Sequence, residues 1–463
     1  MSSLVDSNNP ESDAGLFTVA VIGAGAAGTL ATARLLAESA ASGRRISVAL
    51  INSGADVGRG PAYSTMCDAH LLNVPAGKMG ADPENATGFM DWMSDRGRPV
   101  AATDFLPRWL FGSYLGEHLS AAARRYSKTG SVRFLRARAI GISDLQDGVA
   151  VHLADGRTVR AGGVVLALGG FGPSREWVPA ELAGSAHLIN DPWDVDALDS
   201  VPSHADLLLV GTGLTMCDVA LASCRPGRTV YAVSRSGLLP HPHVMPLVSP
   251  LEMPLPVGAS SLRDVRQVVL RHVVRSVRAT GDWRPAMDGL RPLTTKLWQR
   301  LSDRDRADFL VRYQRVWESH RHRIPPPTSA ALAGAVDSGE LEVNAAEIVQ
   351  ARPERGRVRV WLSNGRKLEV AAVVNCAGPE YDLNKVDDRL IRHLLATGLA
   401  RCGPQLLGLD TTDDGRLVGA DRHRRVPLWT IGSLRRGNLW ETTAIPEIRG
   451  QASQLARTVL GCI

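Results

Sequence analysis

The chain has 463 residues, a formal net charge of +6 and ordinary shares of hydrophobic (44%) and charged (22%) residues. Such a length exceeds a single hydrophobic core and predicts a globular protein of two or three domains. Its basic residues are interleaved with acids and form no reader motif, so no nucleic-acid partner is expected. No apolar run reaches the roughly 18 residues that would cross a bilayer, so no membrane partner is expected either.

The N-terminus and the cysteines bear on location and redox chemistry. Residues 1–15 are polar and lack the regions of a signal peptide, which predicts a disordered tail and a cytoplasmic protein. The six cysteines contain no CxxC pair and no metal-ligand spacing. We therefore expect reduced thiols, no metal site and no disulfide reductase.

The first predicted unit is a βαβ element with a glycine-rich turn. It comprises a strand from Phe17, the glycines Gly23, Gly25 and Gly28, a helix over 29–40 and a strand over 46–51. In a dinucleotide-binding turn the first glycine permits the tight turn, the second lets the backbone approach a pyrophosphate, and the third lets helix and strand pack closely. Asn52 ends the second strand, where an acid usually binds a ribose hydroxyl, and its amide is expected to take that role.

The region after Asn52 begins with a long irregular segment. Residues 54–89 are rich in glycine and proline, which predicts a loop of the kind that carries function. Helices over 87–96 and 106–127 and a β-meander over 132–168 are predicted next. Gly169 closes the last strand of the meander and is expected to contact a cofactor.

An internal repeat indicates a second module. Val151–Arg157 and Val360–Arg366 are similar strand and turn sequences, and each leads at the same offset into a valine-rich strand. A second nucleotide-type turn, with Gly211 and Gly213, precedes the second meander as the first turn precedes the first meander. The chain therefore contains two dinucleotide modules in the same internal order.

The second strand of this module suggests which nicotinamide cofactor it binds. The strand over 229–233 ends in Ser234 and Arg235. An acid at this position would favour NAD, whereas a serine and an arginine can hold the 2′-phosphate of NADP by charge-assisted hydrogen bonds. We therefore favour NADP, with an arginine solvated at a strand end as the alternative.

Two further segments complete the pattern. Residues 262–336 repeat apolar residues three and four apart, which predicts helices. They end near Arg321 and Arg323, where we expect a solvated basic turn, with anion binding as the alternative. In the last segment Gly432 follows a short strand and a helix begins at Ile445; such a helix N-terminus faces the flavin ring in two-dinucleotide flavoproteins.

Together these elements predict an α/β fold with two dinucleotide-binding (Rossmann-type) modules, each with a β-meander, and a helical insert in the second module. The predicted units are a tail over 1–15, an FAD-binding domain over 16–195 and 375–463, and an NAD(P)-binding domain over 196–374 with its insert at about 255–336. The sequence does not indicate an oligomeric state.

Several motifs carry a resemblance to a known family. They are GRGPAYST (58–65), HLLNVPAGKM (70–79), NDPWD (190–194), VGTGLTMCD (210–218), SRSGLLPHPH (234–243), SHRHR (319–323) and LRRGNLWETTAIPEIRGQ (434–451). The chain resembles the bacterial FAD/NAD(P)-binding proteins of the YdhS-like group. It is more distantly similar to flavin-dependent N-hydroxylating and Baeyer–Villiger monooxygenases, and Leu182–His187 resembles their FxGxxxH fingerprint with leucine for phenylalanine and one residue fewer before the histidine.

The resemblance implies FAD and NADP as cofactors and a small-molecule substrate. The first function it implies is an NADPH-dependent monooxygenase that works through a flavin hydroperoxide, with a small amine as the first substrate candidate. A flavin reductase, dehydrogenase or oxidase without stable oxygen activation, and a non-catalytic cofactor-binding regulator, remain as alternatives. We expect Arg59 to contact the cofactor and Asn73 to act at the flavin as a neutral donor and acceptor, with loop stabilisation as the alternative role of Asn73.

Overall fold

The computed structural model describes residues 5–6, 16–421, 423 and 425–463, and these form three β-sheets with helices on their faces. The strands are β1 (Val5–Asp6), β2 (Phe17–Ile22), β3 (Ile46–Asn52), β4 (Gly130–Arg136), β5 (Ala139–Leu145), β6 (Gly148–Leu153), β7 (Thr158–Leu166), β8 (Leu188–Ile189), β9 (Leu207–Val210), β10 (Val230–Ser234), β11 (Leu341–Ala345), β12 (Ile348–Glu354), β13 (Arg357–Leu362), β14 (Lys367–Val370), β15 (Ala372–Asn375) and β16 (Leu428–Thr430).

The helices connect and cover these strands. They are α1 (Ala26–Ser42), α2 (Gly60–Tyr63), α3 (Gly88–Ser94), α4 (Arg108–Arg125), α5 (Val195–Asp199), α6 (Leu214–Ser223), α7 (Leu262–Thr280), α8 (Arg284–Leu290), α9 (Thr294–Arg300), α10 (Asp303–Arg312), α11 (Gln314–Arg321), α12 (Pro326–Asp337), α13 (Arg389–Ala396), α14 (Arg436–Leu439) and α15 (Ile445–Cys462). Short 3-10 turns lie at Ala76–Lys78, Arg291–Leu293, Leu383–Lys385, Pro404–Leu406 and Gly432–Arg435. Within the described ranges, no helix is both long and apolar enough to cross a membrane.

The first sheet has the strand order β1-β4-β3-β2-β7-β6-β5, and β16 pairs with β7. Its central strands β2 and β3 are buried almost throughout, as expected for parallel strands covered on both faces. Helices α1, α4 and α15 supply one core, and α13 packs with the β5–β7 meander in the other.

Two details of this sheet differ from the prediction. β4 pairs in parallel with β3, so the meander begins at β5 and not at residue 132. The long helix α4 before β4 provides the crossover that a parallel pairing requires. Of the predicted disordered tail 1–15, the structure describes Val5 and Asp6, which pair with Arg133 and Phe134; the other tail residues lie outside the described ranges.

The second sheet has five parallel strands in the order β11-β10-β9-β15-β8. Strands β12, β13 and β14 form a separate antiparallel meander, in which Gly365 makes the turn that Gly156 makes in the first meander. The predicted fold class, with two modules in the same order, is confirmed.

The domain boundaries stay a prediction, and one strand departs from them. β8, at Leu188–Ile189, falls in the predicted FAD-binding domain but pairs with β15 in the second sheet. The chain therefore joins the second sheet before residue 195. The six helices α7–α12 lie between β10 and β11 and occupy most of the predicted insert.

Candidate functional site

The first glycine turn is closed on one side and open on the other. Gly23 has a φ of +103°, and a Cβ there would lie 2.3 Å from the carbonyl oxygen of Ala167. A Cβ on Gly28 would lie 1.8 Å from the carbonyl oxygen of Gly23, so neither position accepts a side chain. A Cβ on Gly25 would meet only Gly60, with the closest atom at 3.6 Å. The backbone at Gly25 is therefore open to a ligand phosphate at the start of α1.

Asn52 and Arg59 lie beside this turn. Asn52 accepts a hydrogen bond from the backbone N–H of Ala24 (3.2 Å), and its Nδ2 donates to the carbonyl of Gly54 (3.0 Å). The Asn52 amide thus braces the turn, and its ribose contact stays a prediction. Arg59 stands at the start of α2 and makes a long contact with the hydroxyl of Ser113 (3.4 Å), which leaves its cofactor contact also as a prediction.

The ends of β7 and β16 meet beside the same turn. Gly169 has a φ of +71° and no atom within 4 Å of its Cβ position, and its carbonyl accepts a hydrogen bond from the hydroxyl of Ser433. Gly432 has a φ of +82°; its N–H donates to Oε1 of Gln451 (3.1 Å), and its carbonyl accepts from the hydroxyl of Thr442 (2.8 Å). These bonds fix the segment that leads into α15.

The second glycine turn repeats this design. Gly211 has a φ of +111°, and a Cβ there would lie 2.2 Å from the carbonyl oxygen of Cys376. Gly213 caps α6, and its surroundings are open except for Arg315, whose Nη1 would lie 3.7 Å from a Cβ. Both turns therefore have the open second glycine that a dinucleotide needs.

Ser234 and Arg235 follow β10 next to this turn. The Ser234 hydroxyl hydrogen-bonds the Thr212 hydroxyl (2.8 Å) and accepts from the N–H of Gly237 (3.0 Å). Arg235 is exposed and has no hydrogen bond or ion pair with the described residues. Its guanidinium is therefore free to bind a phosphate, and its contact with the 2′-phosphate of NADP stays a prediction.

A cavity of about 360 Å³ is lined by residues of both modules. Its wall includes residues from the loop 72–79, the start of α6, the helical insert and the segment 436–447. Ile445, the first residue of α15, is buried and lines it. Of the expected site residues, Asn73 and Ile445 line the cavity itself, while the glycines lie in the turns outside this wall.

Asn73 faces the cavity from the loop after β3. Its backbone carbonyl lies 3.0 Å from Nε2 of His243, while its side-chain amide has no hydrogen bond with any described residue. Burial, and then the charge of Arg323, lower the pKa of His243 to about 4. The imidazole is therefore neutral near neutral pH and donates its Nε2–H to the Asn73 carbonyl.

The acids of the cavity wall are paired with arginines. Arg291 donates to both carboxylate oxygens of Glu447 at 2.5 and 2.6 Å, and Arg321 lies 2.9 Å from Glu441. These pairs are largely buried, so they resist solvent screening.

Arg323 is likewise buried, and it pairs with Asp288. The expectation of a solvated basic turn at Arg321 and Arg323 was therefore wrong. Arg321 is the last residue of α11 and Arg323 follows that helix, and their side chains pair with acids from the segment before α15 and from α8.

Lys78 differs from the other cations of the cavity. Its ammonium has no hydrogen bond or ion pair with the described residues, although its side chain lines the cavity. Burial lowers its pKa, and the charges of Arg291, Arg323 and Arg321 add to that effect against the opposing charge of Asp288. The wall therefore presents one uncompensated cation to a ligand.

Asp218 links the two modules across the cavity. Oδ1 of Asp218 accepts from Nη2 of Arg108 (3.2 Å), and Oδ2 lies 2.7 Å from Nη1 as an ion-pair contact without hydrogen-bond geometry. The Asp218 backbone carbonyl lies 3.0 Å from Nε2 of His70. Burial raises the pKa of Asp218, while Arg108 and then His70 oppose that shift. Arg108 and His70 belong to the first module, and Asp218 belongs to α6 of the second.

Sequence reasoning named the segments of these side chains but not their roles. Lys78, Asp218 and Glu441 lie in the quoted motifs HLLNVPAGKM, VGTGLTMCD and LRRGNLWETTAIPEIRGQ. The sequence offered one signal for their roles, which is that each is a charged residue within a motif beside a predicted cofactor-binding segment. His187 does not line the cavity, since its two ring nitrogens face the carbonyls of Ala371 (2.8 Å) and Glu354 (3.1 Å).

The six cysteines lie outside the wall of the cavity. All six cysteines are free thiols, and burial raises the pKa of Cys217 to about 12. Burial also raises the pKa of Cys376 well above its ordinary value. In the part of the chain that the structure describes, no three His, Cys, Asp or Glu side chains are grouped as metal ligands.

Comparison with known proteins identifies the first module. A family model described as FAD-NAD(P)-binding matches residues 20–171. An uncharacterised protein of Mycobacterium tuberculosis strain H37Rv is 23% identical over 411 residues, which cover 78% of this chain and 74% of that protein. The resemblance to FAD/NAD(P)-binding proteins is therefore confirmed, and the family model places it in residues 20–171.

Solved structures show the same overall fold. Ornithine hydroxylase from Pseudomonas aeruginosa aligns with a TM-score of 0.65 at 14% identity, over 97% of this chain and all of that chain. L-lysine 6-monooxygenase from Pseudomonas syringae gives 0.63 at 16% identity, over 96% and 100%. Bacillithiol disulfide reductase from Staphylococcus aureus gives 0.57 at 11% identity, over 96% and 98%. The chain therefore shares its overall fold with these three enzymes.

Proposed function

We propose that the protein is an FAD-dependent, NADPH-using monooxygenase that acts on a small molecule in the cavity. The observation that carries this proposal is the position of the cavity, whose wall includes the loop after β3, the start of α6 and the start of α15. Ligands of open α/β sheets bind at the carboxyl ends of the strands. A flavin from the first module, a nicotinamide from the second and a substrate would meet in this space.

The residues of the first turn fit FAD. The backbone at Gly25 is open, and the α1 N-terminus behind it offers N–H groups to a diphosphate. Residues 442–445 bring the start of α15 to the cavity, where its dipole would favour the charge of a reduced flavin. When bound, FAD accepts a hydride from NADPH and reduces dioxygen; the protein supplies binding, orientation and electrostatics.

Asn73 is proposed as the catalytic residue. Its amide makes no hydrogen bond within the described chain and can both donate and accept without transferring a proton. The bond between His243 and the Asn73 carbonyl holds this loop against the second module. A neutral side chain suits a site where a reactive oxygen species must not be protonated early.

The charge of the cavity bears on the substrate. Among the described residues of its wall, each of the six arginines is paired with a carboxylate, and Lys78 is the unpaired cation. An amine must lose its proton before it can attack an electrophilic oxygen, and a nearby unpaired cation lowers the pKa of an amine. A small amine therefore remains the first candidate, and Lys78 could hold an anionic group elsewhere on it.

The proposal is tested with purified protein. Its visible spectrum should show bound FAD, and NADPH should bleach it. NADPH consumption, oxygen uptake, peroxide and product should then be measured across amines, ketones and thioethers. A protein that stays colourless after addition of FAD would exclude the proposal.

Reduction by NADPH with only peroxide or an added acceptor as product would favour the reductase or oxidase alternative. A dithiol mechanism for that alternative is disfavoured, because the thiols of Cys217 and Cys376 are buried and have raised pKa values. An FAD-containing protein that NADPH does not reduce would favour the non-catalytic regulator.

A further inference from the structure

Arg315 reaches the second glycine turn from a distant part of the chain. It is the second residue of α11, in the helical insert. Its Nη2 donates to the Thr212 carbonyl (2.7 Å) and hydroxyl (3.2 Å) and to the Leu238 carbonyl. Its Nη1 lies beside Gly213 and makes no hydrogen bond with the described residues. Hydrogen bonds thus hold Nη2 in place, while Nη1 points toward Gly213.

The charge of Arg315 is unbalanced at this place. The residue is partly buried and donates to no carboxylate among the described residues. The nearby acid Glu318 instead accepts a hydrogen bond from Arg436 (2.8 Å). The start of α6 carries the positive end of a helix dipole, which repels a cation. Burial lowers the pKa of Arg315, with Glu318 as the largest opposing charge. An anion in front of Gly213 would compensate both positive charges.

We propose that Arg315 is a further cofactor-binding residue, whose Nη1 binds the diphosphate of the nicotinamide cofactor at Gly213. This inference rests on the proposed use of NADPH by the second module. A diphosphate at the α6 N-terminus would accept hydrogen bonds from backbone N–H groups on one side and from the Arg315 guanidinium on the other. The insert that walls the substrate cavity would then also hold the cofactor.

Arg315 and Arg235 should have different selectivity. The diphosphate is common to NADP and NAD, whereas the 2′-phosphate belongs to NADP alone. Loss of the Arg315 guanidinium should weaken both cofactors by similar factors. Loss of Arg235 should weaken NADP alone, so the two variants separate the two phosphate sites.

The experiment measures dissociation constants of NADP⁺ and NAD⁺ on the FAD-loaded protein by calorimetry, which needs no turnover. The variants are Arg315→Gln, Arg315→Lys and the control Arg312→Gln, whose arginine is exposed on the neighbouring helix α10. We expect Arg315→Gln to weaken both cofactors about 10- to 100-fold, a range typical of a charge-assisted hydrogen bond. Arg315→Lys should lose less, and the control should match the wild type.

Several outcomes would overturn the assignment. The first is an unchanged affinity of Arg315→Gln for both cofactors. The second is tighter binding by Arg315→Gln, which would mean that the guanidinium occupies the diphosphate position. The third is a loss of affinity that is confined to NADP⁺. If Arg315→Gln unfolds or loses FAD, the affinities of Arg315→Lys are compared with the wild type instead. Weaker binding of both cofactors by similar factors would then support the role of Arg315, and unchanged affinities would overturn it. A wild-type protein that binds neither NADP⁺ nor NAD⁺ would refute the proposed function as well, whereas normal wild-type binding with an unaffected variant would refute the role of Arg315 alone.

Discussion

Replacement of Arg108 by methionine should leave the buried carboxylate of Asp218, at the contact of the two modules, without its cationic partner. Asp218 is 4% exposed, and Arg108 is its cationic partner. Removing one partner of a buried ion pair costs about 3–5 kcal/mol, because the remaining charge stays buried. Arg108 also donates from Nε to the carbonyl of Leu71 at 2.9 Å, and loss of that bond adds about 1 kcal/mol. We therefore expect the free energy of unfolding to fall by about 4–6 kcal/mol at neutral pH.

This loss should depend on pH. Burial already raises the pKa of Asp218, and removal of Arg108 takes away the largest opposing influence, so the folded-state pKa rises further. A group whose folded pKa is raised stabilises the fold when protonated and loses that contribution as pH rises through the folded pKa. The penalty of Arg108→Met should consequently shrink as pH falls through that raised value.

The assay is urea unfolding of the FAD-loaded protein, followed by tryptophan fluorescence at neutral and mildly acidic pH. Asp218→Asn removes the unpaired buried charge. The double variant Arg108→Met/Asp218→Asn should therefore recover most of the lost free energy of unfolding and keep only the loss that comes from the missing hydrogen bond to the Leu71 carbonyl. Arg157→Met, which breaks the surface pair with Asp155, is the control and should cost at most about 1 kcal/mol. A loss as small as the control, or one that neither pH nor Asp218→Asn changes, would refute the reasoning.

Three further predictions concern the cavity and the second turn. Asn73→Ala should keep FAD content and the rate of reduction by NADPH but raise the yield of peroxide relative to product in steady-state assays; loss of FAD or of stability first would instead make the residue structural. Arg235→Ala should weaken NADPH on the order of 10- to 100-fold and leave NADH unchanged in stopped-flow reduction, and equal effects on both would remove its role. Lys78→Met should weaken benzoate, a carboxylate probe, in titrations that follow flavin absorbance, while Lys296→Met should not. Because the pKa of Lys78 is lowered, wild-type binding of the probe should already decline as pH rises through that lowered value, and a pH-independent affinity would contradict an ammonium contact.

Local sequence was sufficient to predict much of the fold. The turns at Gly23 and Gly211 require positive φ and close backbone approach, and both requirements are visible in the pattern of glycines that follows an apolar strand. The repeated strand and turn sequences also predicted two meanders. The pairing of β4 and of β8 was not predictable in this way, because a strand sequence does not name its neighbour in a sheet.

The cavity depended on contacts that no local pattern specifies. Arg321 pairs with Glu441, 120 positions later in the chain, and Arg291 pairs with Glu447, 156 positions later. From sequence, a basic turn beside prolines indicates a solvated surface, since nothing local shows that acids of another segment will cover it. Asn73, which lines the cavity, was predicted as a site residue because its loop follows the second strand of the first module. Arg315 carried no comparable signal.

The pairing of β16 with β7 has a consequence for the order of events during biosynthesis. The second sheet is assembled from strands between residues 188 and 375, so a ribosome releases all of it before residue 428 is made. The first sheet lacks β16 until residues 428–430 have been made, and α1 lacks its partner α15 until residues 445–462 have been made. The module synthesised first should therefore be the last to close. FAD capture is then a late step that follows the translation of α15, and a nascent chain stalled before β16 should bind nicotinamide nucleotide but not flavin.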